Sequence, residues 1–233
     1  MPRLSLFRRQ SVPVPTFTGL IVLGVLLCCG ALFGLRHLGA FLAPNEPVGR
    51  GILVVEGWLP TDAFRLAAQT YERGTYDALV VSGGPVEDPL CSGTFRTYAD
   101  RGAAMLRQLG IKEPALATAP APASAQERSY RSAVSVRQWA EAAQRPLKAL
   151  DVFSYGPHTR RTRTLYRMAF GDGVEVGVIS AAPTRYELSR WWDQSNGAKE
   201  VLTEGIAYAW TLCCFRPGPR GSHVELWAQP EPP

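Results

Sequence analysis

The sequence predicts a doubly wound α/β domain: a parallel sheet with helices on both faces, preceded by one N-terminal transmembrane helix. Three observations predict it. Five short apolar runs recur between Gly51 and Ser180, each closed near a Gly, Pro or Ser, as buried strands are. The segments between them are long enough for crossover helices, which parallel pairing requires and hairpins do not. Ahead of them, no residue between Gln10 and Leu35 is charged, and about 20 apolar residues suffice to cross a bilayer.

The N-terminal part divides into a basic arm over 1–15 and an anchor over 16–36. Arg3, Arg8 and Arg9 precede the apolar run, and Arg36 with His37 follows it. The excess of positive charge on the N-terminal side predicts a cytoplasmic N-terminus and a body beyond the inner (plasma) membrane. The run exceeds the roughly 7–15-residue core of a cleaved signal, and no small-x-small site follows it. An uncleaved anchor in the lipid bilayer is therefore expected. A tether over 37–49, containing Pro44 and Pro47, leads to the body at 50–215.

Within the body, Gly51–Glu56 reads as the first strand, and Thr61–Glu72 as a helix with Thr61 as its N-cap. Ala78–Val81 is the second strand, ending in Ser82-Gly83-Gly84-Pro85. Thr94 is the expected N-cap of the next helix. That helix sets Phe95, Ala99, Leu106 and Leu109 at helical spacing and stops at Gly110. Ala115–Thr118 is a third strand, Ala119–Ala125 a loop with Pro120 and Pro122, and Gln126–Gln144 a helix closed by Pro146. Strand Ala149–Ser154, helix Thr159–Phe170 and strand Val174–Ser180 follow. Helices near Tyr186–Trp192 and over Gly197–Cys214 complete the body, and the Pro- and Gly-rich tail over 216–233 is expected to be flexible.

Composition narrows the partners. Of the 25 basic residues, four lie in the first 36 positions with no acidic residue beside them, so the body is close to neutral despite a net charge of +5. A nucleic-acid partner is not expected. Cys28 and Cys29 fall in the anchor, Cys91 in a loop, and adjacent Cys213 and Cys214 at the end of the last helix. Vicinal cysteines seldom bridge each other and no spacing suits zinc, so buried or idle thiols are expected and no metal is assigned. No cofactor is indicated.

Open α/β sheets bind ligands outside the carboxyl ends of their strands. That rule gathers Glu56 with Gly57, the Ser82-Gly83-Gly84 turn, Glu127, His158, and Thr184 with Arg185 on one rim. Residues 148–163 are the most informative of these: an apolar run stops at Gly156-Pro157, and His158 opens a helix carrying Arg160, Arg161 and Arg163. Helix N-termini present unpaired N–H groups and a positive dipole end. Three arginines there are unfavourable by roughly 0.3–1 kcal/mol each if exposed, so either they splay into water or an anion fills the site. His158 and Glu56 are the candidates for moving a proton. Ser82, Gly83, Gly84, Glu127, Arg160 and Arg161 are the candidates for holding substrate. Plainer readings stand beside these: a tight turn at 82–84, a helix-capping Glu127, a solvated Glu56, a structural His158. Trp191 and Trp192 read as packing over the sheet edge, with a membrane-surface contact as the alternative. Glu204 and Tyr208, one turn apart, fit either a core hydrogen bond or the rim.

Taken in order, these segments resemble the YdcF/SanA/ElyC-like family (domain of unknown function 218), in particular its exported branch. The segments are Val55-Glu56-Gly57-Trp58-Leu59-Pro60, Ser82-Gly83-Gly84, Thr97-Tyr98-Ala99, Glu127 to Ala133, Gly156 to Arg161, and Trp191 to Gly197. The resemblance covers roughly 51–213. The family's His-x-x-Arg falls on His158 and Arg161. Its usual Asn-Thr-x-x-Asn-Ala is altered, with Arg128 and Ser129 at the first pair and Ser132 at the second Asn. The resemblance implies a Rossmann-like fold and an envelope protein linked to cell-wall maintenance, without fixing a reaction. The function expected is binding or processing of an anionic, phosphate-bearing small molecule or lipid-linked precursor. The alternative is a non-catalytic module that binds a nucleotide-like ligand or serves the envelope structurally.

Overall fold

The computed structural model describes residues 13–86, 93–124, 127–222 and 225; most of the basic arm, Cys91, Gln126 and the end of the tail lie outside the described residues. The chain forms two units, Met1–His37 and Leu38–Pro233. Helix α1 spans Phe17–Leu42. With a hydropathy of 2.4 and none of its apolar window buried, it is long and apolar enough to cross a membrane. Its last turn, from Leu38, belongs to the second unit, so the first half of the expected tether is helical. No proline occurs between Pro15 and Pro44, so nothing removes a helical N–H and the helix runs on.

The second unit contains β1 (Arg50–Glu56), α2 (Thr61–Arg73), β2 (Thr75–Gly83), α3 (Tyr98–Gln108), β3 (Leu116–Pro120) and α4 (Arg128–Ala142). It continues with β4 (Ala149–Tyr155), α5 (His158–Phe170), β5 (Glu175–Ala181), a 3-10 helix (Leu188–Asp193) and α6 (Ser195–Cys213). The five strands pair in parallel in the order β3-β2-β1-β4-β5. This is a doubly wound sheet, and its order reverses between β1 and β4, where such folds place ligands.

Alternation along each strand sends side chains to opposite faces. Ile52 and Val54 of β1 join Val134 of α4 with Leu165 and Tyr166 of α5 in one core layer. Leu53 and Val55 join Phe64 and Ala67 of α2 with Leu106 of α3 in the other. Each of the Val, Leu, Ile and Phe side chains among them, fully buried, contributes roughly 1.5–3 kcal/mol, so the sheet is a firm platform for its carboxyl rim. A smaller cluster of Leu42, Tyr186, Trp191 and Val201 ties the end of α1 to α6.

Local signals differ from expectation at three termini. The N-cap of α2 is Pro60, and Thr61 makes the first turn without a capping bond. The N-cap of α3 is Thr97, not Thr94: Thr97 Oγ1 accepts from Asp100 N at 3.1 Å, and Thr97 N donates to Asp100 Oδ2 at 3.2 Å. Only Thr97 has an acid three residues on, which completes a capping box. At the end of α6, Cys213 and Cys214 form a vicinal disulfide where idle thiols were expected. Cys214 has left helical geometry (φ −122°), which frees its side chain to turn back. The tail is also not free of the body over its described part, since Glu225 is buried and pairs with Arg137 at 2.7 Å.

Two glycines let α3 sit directly on the strand ends. A Cβ on Gly57 would lie 2.0 Å from the Tyr98 carbonyl oxygen, and one on Gly83 2.7 Å from Tyr98 Cβ. Gly57→Ala is therefore expected to destabilise the domain by about 2 kcal/mol or more, because a backbone carbonyl cannot yield as a side chain can. Chemical denaturation measures this, and a midpoint unchanged from wild type would show that α3 can shift away freely.

Candidate functional site

The carboxyl ends of β1 and β4 and the start of α5 meet at one rim. Glu56, the last residue of β1, is 4% exposed, so it is not the solvated carboxylate that its position suggested. Its Oε2 accepts from Ser154 Oγ of β4 at 2.5 Å, and its Oε1 accepts from Thr162 Oγ1 of α5 at 3.4 Å. The same Oε1 lies 3.5 Å from His158 Nε2. On the other side of the ring, His158 Nδ1 donates to Glu204 Oε1 at 2.9 Å. Arg161 closes the group, its Nε 2.9 Å from Glu204 Oε2 and its Nη2 3.2 Å from Glu204 Oε1. Trp58 sets its ring edge-on to the imidazole, with centroids 5.2 Å apart.

The electrostatics follow from this sandwich. Burial disfavours a charge on the imidazole, but Glu56 and Glu204 outweigh it and raise His158 to about 9. The ring is an imidazolium at neutral pH. Burial likewise opposes a charge on Glu204, and the bonds from His158 and Arg161 overcome it, carrying the carboxyl down to about 2. Nδ1 is the firmly held nitrogen. Nε2, with contacts of 3.4 Å to Ser129 Oγ and 3.5 Å to Glu56, is the loosely held one and can donate to a ligand.

Glu56, Trp58, Ser129, His158, Arg161 and Glu204 line a cleft of about 540 Å³, together with Ser82, Gly83, Gly84, Tyr98, Glu127, Arg128 and Ser132. The structure thus brings together Glu56, Ser82, Gly83, Gly84, Glu127, His158 and Arg161. Ser82 turns its hydroxyl inward, 3.1 Å from Tyr166 Oη, while Gly83 and Gly84 line the cleft without side chains. Glu127 holds a left-handed conformation (φ +50°) and makes no side-chain capping bond, which removes the helix-capping reading. Burial raises its carboxyl, partly offset by the nearby Arg161. A non-glycine residue held in this region points to a constrained site.

Arg160 is not in the cleft. Its Nε donates to the Phe41 carbonyl and its guanidinium stacks 4.0 Å over the Phe41 ring. Arg163 likewise turns away, to Glu46 and to the Val176 carbonyl at 3.1 Å. Each arginine of the α5 start therefore has a protein partner, and neither splaying into water nor awaiting an anion describes the three together. Consecutive helical residues diverge by about 100°, while i and i+3 share a face, so only Arg161 can join His158. Thr184 bonds Tyr155 Oη through its backbone N–H at 3.0 Å and does not line the cleft, nor does Arg185.

Sequence reasoning assigned no role to Trp58, Tyr98, Ser154 or Thr162 and left Glu204 open. A polar residue ending an apolar strand, as Ser154 does, was the available signal. Among the described residues no group of three or more His, Cys, Asp and Glu is placed to hold a metal ion. No protein-family model, curated protein or solved structure matches the chain.

Proposed function

We propose that this is a membrane-anchored protein whose cleft binds and acts on a phosphate-bearing ligand, a small molecule or a lipid-linked precursor, on the outer side of the inner membrane. The observation that carries the reading is His158: a cationic imidazole fixed between two carboxylates, at the N-terminus of α5 and lining one cleft with a Ser-Gly-Gly turn. A helix N-terminus and a glycine turn both offer N–H groups to anions, and the imidazolium adds charge and a transferable proton. In this reading His158 donates from Nε2 to an oxygen leaving phosphorus. Glu56 is a positioning residue, held by Ser154 and Thr162 and itself holding the ring. Glu127, whose proton affinity burial raises, is the wall group suited to accept a proton from an attacking water. The charge asymmetry around the apolar segment supports the outward orientation. The resemblance to the YdcF/SanA/ElyC-like family supports an envelope role.

The test is ligand binding and turnover by the full chain, using pyrophosphate and a polyprenyl diphosphate. Arg161→Ala is expected to weaken binding at least tenfold, through lost charge and an unpaired Glu204. Arg167→Ala, near the far end of α5, is expected to change it less than twofold. Arg161→Lys should recover only part of the loss, because an ammonium cannot reproduce the two-point contact with Glu204. Binding without turnover would select the non-catalytic module, and equal small effects of all three substitutions would remove the anion site.

A further inference from the structure

Helix α6 has two working sides. Glu204 faces the cleft. At about 100° per residue, Leu202, Ile206 and Trp210 project from the opposite side, and they are 44, 73 and 44% exposed. Ala209 and Cys213, also exposed, continue the same stripe. Single exposed apolar residues need no explanation, but a contiguous stripe over two turns marks a contact surface.

The neighbouring chain indicates what covers it. The last turn of α1 packs on this helix: the Phe41 and Tyr208 rings lie 6.0 Å apart, and Leu42 shares a buried cluster with Val201. Leu38 lies against Gly205, 3.4 Å from where a Cβ would stand. The chain therefore enters the body on α6, and Leu38 follows the apolar segment directly. By connectivity alone, a bilayer crossed by that segment ends within a few residues of α6. Trp210, with the 37% exposed Trp192 of the 3-10 helix, supplies the amphipathic aromatics that favour the headgroup boundary. Lys199, exposed on the same side, can reach lipid phosphates from its apolar stem.

We propose that the Leu202–Ile206–Trp210 face of α6 lies in the interfacial layer of the phospholipid bilayer that α1 crosses. Such a helix lies in the membrane plane with its apolar side among the upper acyl chains. The helix that holds His158 from inside the cleft is then docked on lipid from outside, which sets the cleft at headgroup level. This docking needs α1 to span the bilayer and needs no ligand in the cleft.

The test uses the full chain in nanodiscs of phosphatidylcholine and phosphatidylglycerol, with tryptophan fluorescence quenched by acyl-brominated lipid or by aqueous acrylamide. Wild type is compared with Trp210→Phe and with Trp139→Phe, which removes a tryptophan of α4. The expected result is that Trp210→Phe loses a large part of the bromolipid-sensitive emission while Trp139→Phe loses none. Trp210 emission, taken as the difference between wild type and Trp210→Phe, should resist acrylamide. Acrylamide-sensitive, bromolipid-insensitive emission would show a bare face in water and overturn the proposal. Emission shielded from both quenchers would show a protein cover, such as a second copy, and would overturn it equally. If Trp210→Phe does not fold, a nitroxide on Ile206→Cys in a cysteine-free chain gives the same reading: greater access to oxygen than to aqueous nickel supports lipid contact, and the reverse refutes it.

Discussion

Replacing His158 with alanine is expected to reduce turnover of the phosphate-bearing ligand by about 100-fold or more, as loss of a positioned proton donor does, and to destabilise the domain at neutral pH. A residue on an exposed rim would cost little. Here it separates two carboxylates, one of them buried. The pH dependence identifies the cause. His158 binds its proton more tightly in the folded chain, at about 9 against an ordinary 6.5. Its contribution is therefore complete below about 6.5 and is lost as the pH rises through about 9, on the order of 3 kcal/mol in all. Glu204 runs the other way: lowered to about 2 from 4.5, its contribution is present above about 4.5 and is lost as the pH falls through about 2. Urea unfolding of wild type should weaken from neutral to alkaline pH, while His158→Gln, which keeps much of the volume without the charge, should be flat there. Parallel curves for the two proteins would mean that the imidazole is neutral and that the acid role assigned to it is wrong.

The contrast between Arg160 and Arg161 shows how far the sequence could be read. Apolar patterning was enough to find every strand, because side chains from each enter the core layers on the two faces of the sheet. The carboxyl-end rule then placed Glu56, Ser82, Glu127 and His158 on one rim before any distance was known. Which arginine faced that rim depended on the rotation of α5 about its axis, and only the i, i+3 relation to His158 carried that information. Glu204 was less accessible still. It reaches His158 across 46 residues, through the docking of α6, and no local pattern encodes that docking. Ser154 and Thr162 lay hidden for the same reason, each 98 or more residues from the carboxylate it holds.

Asp151 is the clearest case of a residue concealed inside an apolar run, and its removal is expected to be the most damaging single change outside the cleft. It sits in the middle of β4, fully buried, with no cation among its partners. Its Oδ1 accepts from Val48 N, and its Oδ2 from Gly49 N and Tyr76 Oη, each at 2.7 Å. Burial and this carboxyl together push the Tyr76 phenol above its ordinary range. The three bonds fasten the segment before β1 and the start of β2 to β4, at the rim opposite the cleft. Asp151→Ala orphans all three donors at once. The three donors are only partly buried, so at the low end of about 1–3 kcal/mol per unsatisfied group the expected loss is about 3 kcal/mol, a fall in Tm of roughly 6–12 °C for a domain of this size. Asp151→Asn keeps one acceptor oxygen and should lose less than half as much. Because Asp151 lies four residues before the end of β4, roughly 13 Å along the strand, ligand affinity measured below the melting transition should not change. A Tm within about 2 °C of wild type for the alanine variant would mean that water replaces the carboxyl, and that this end of the sheet is open rather than sealed.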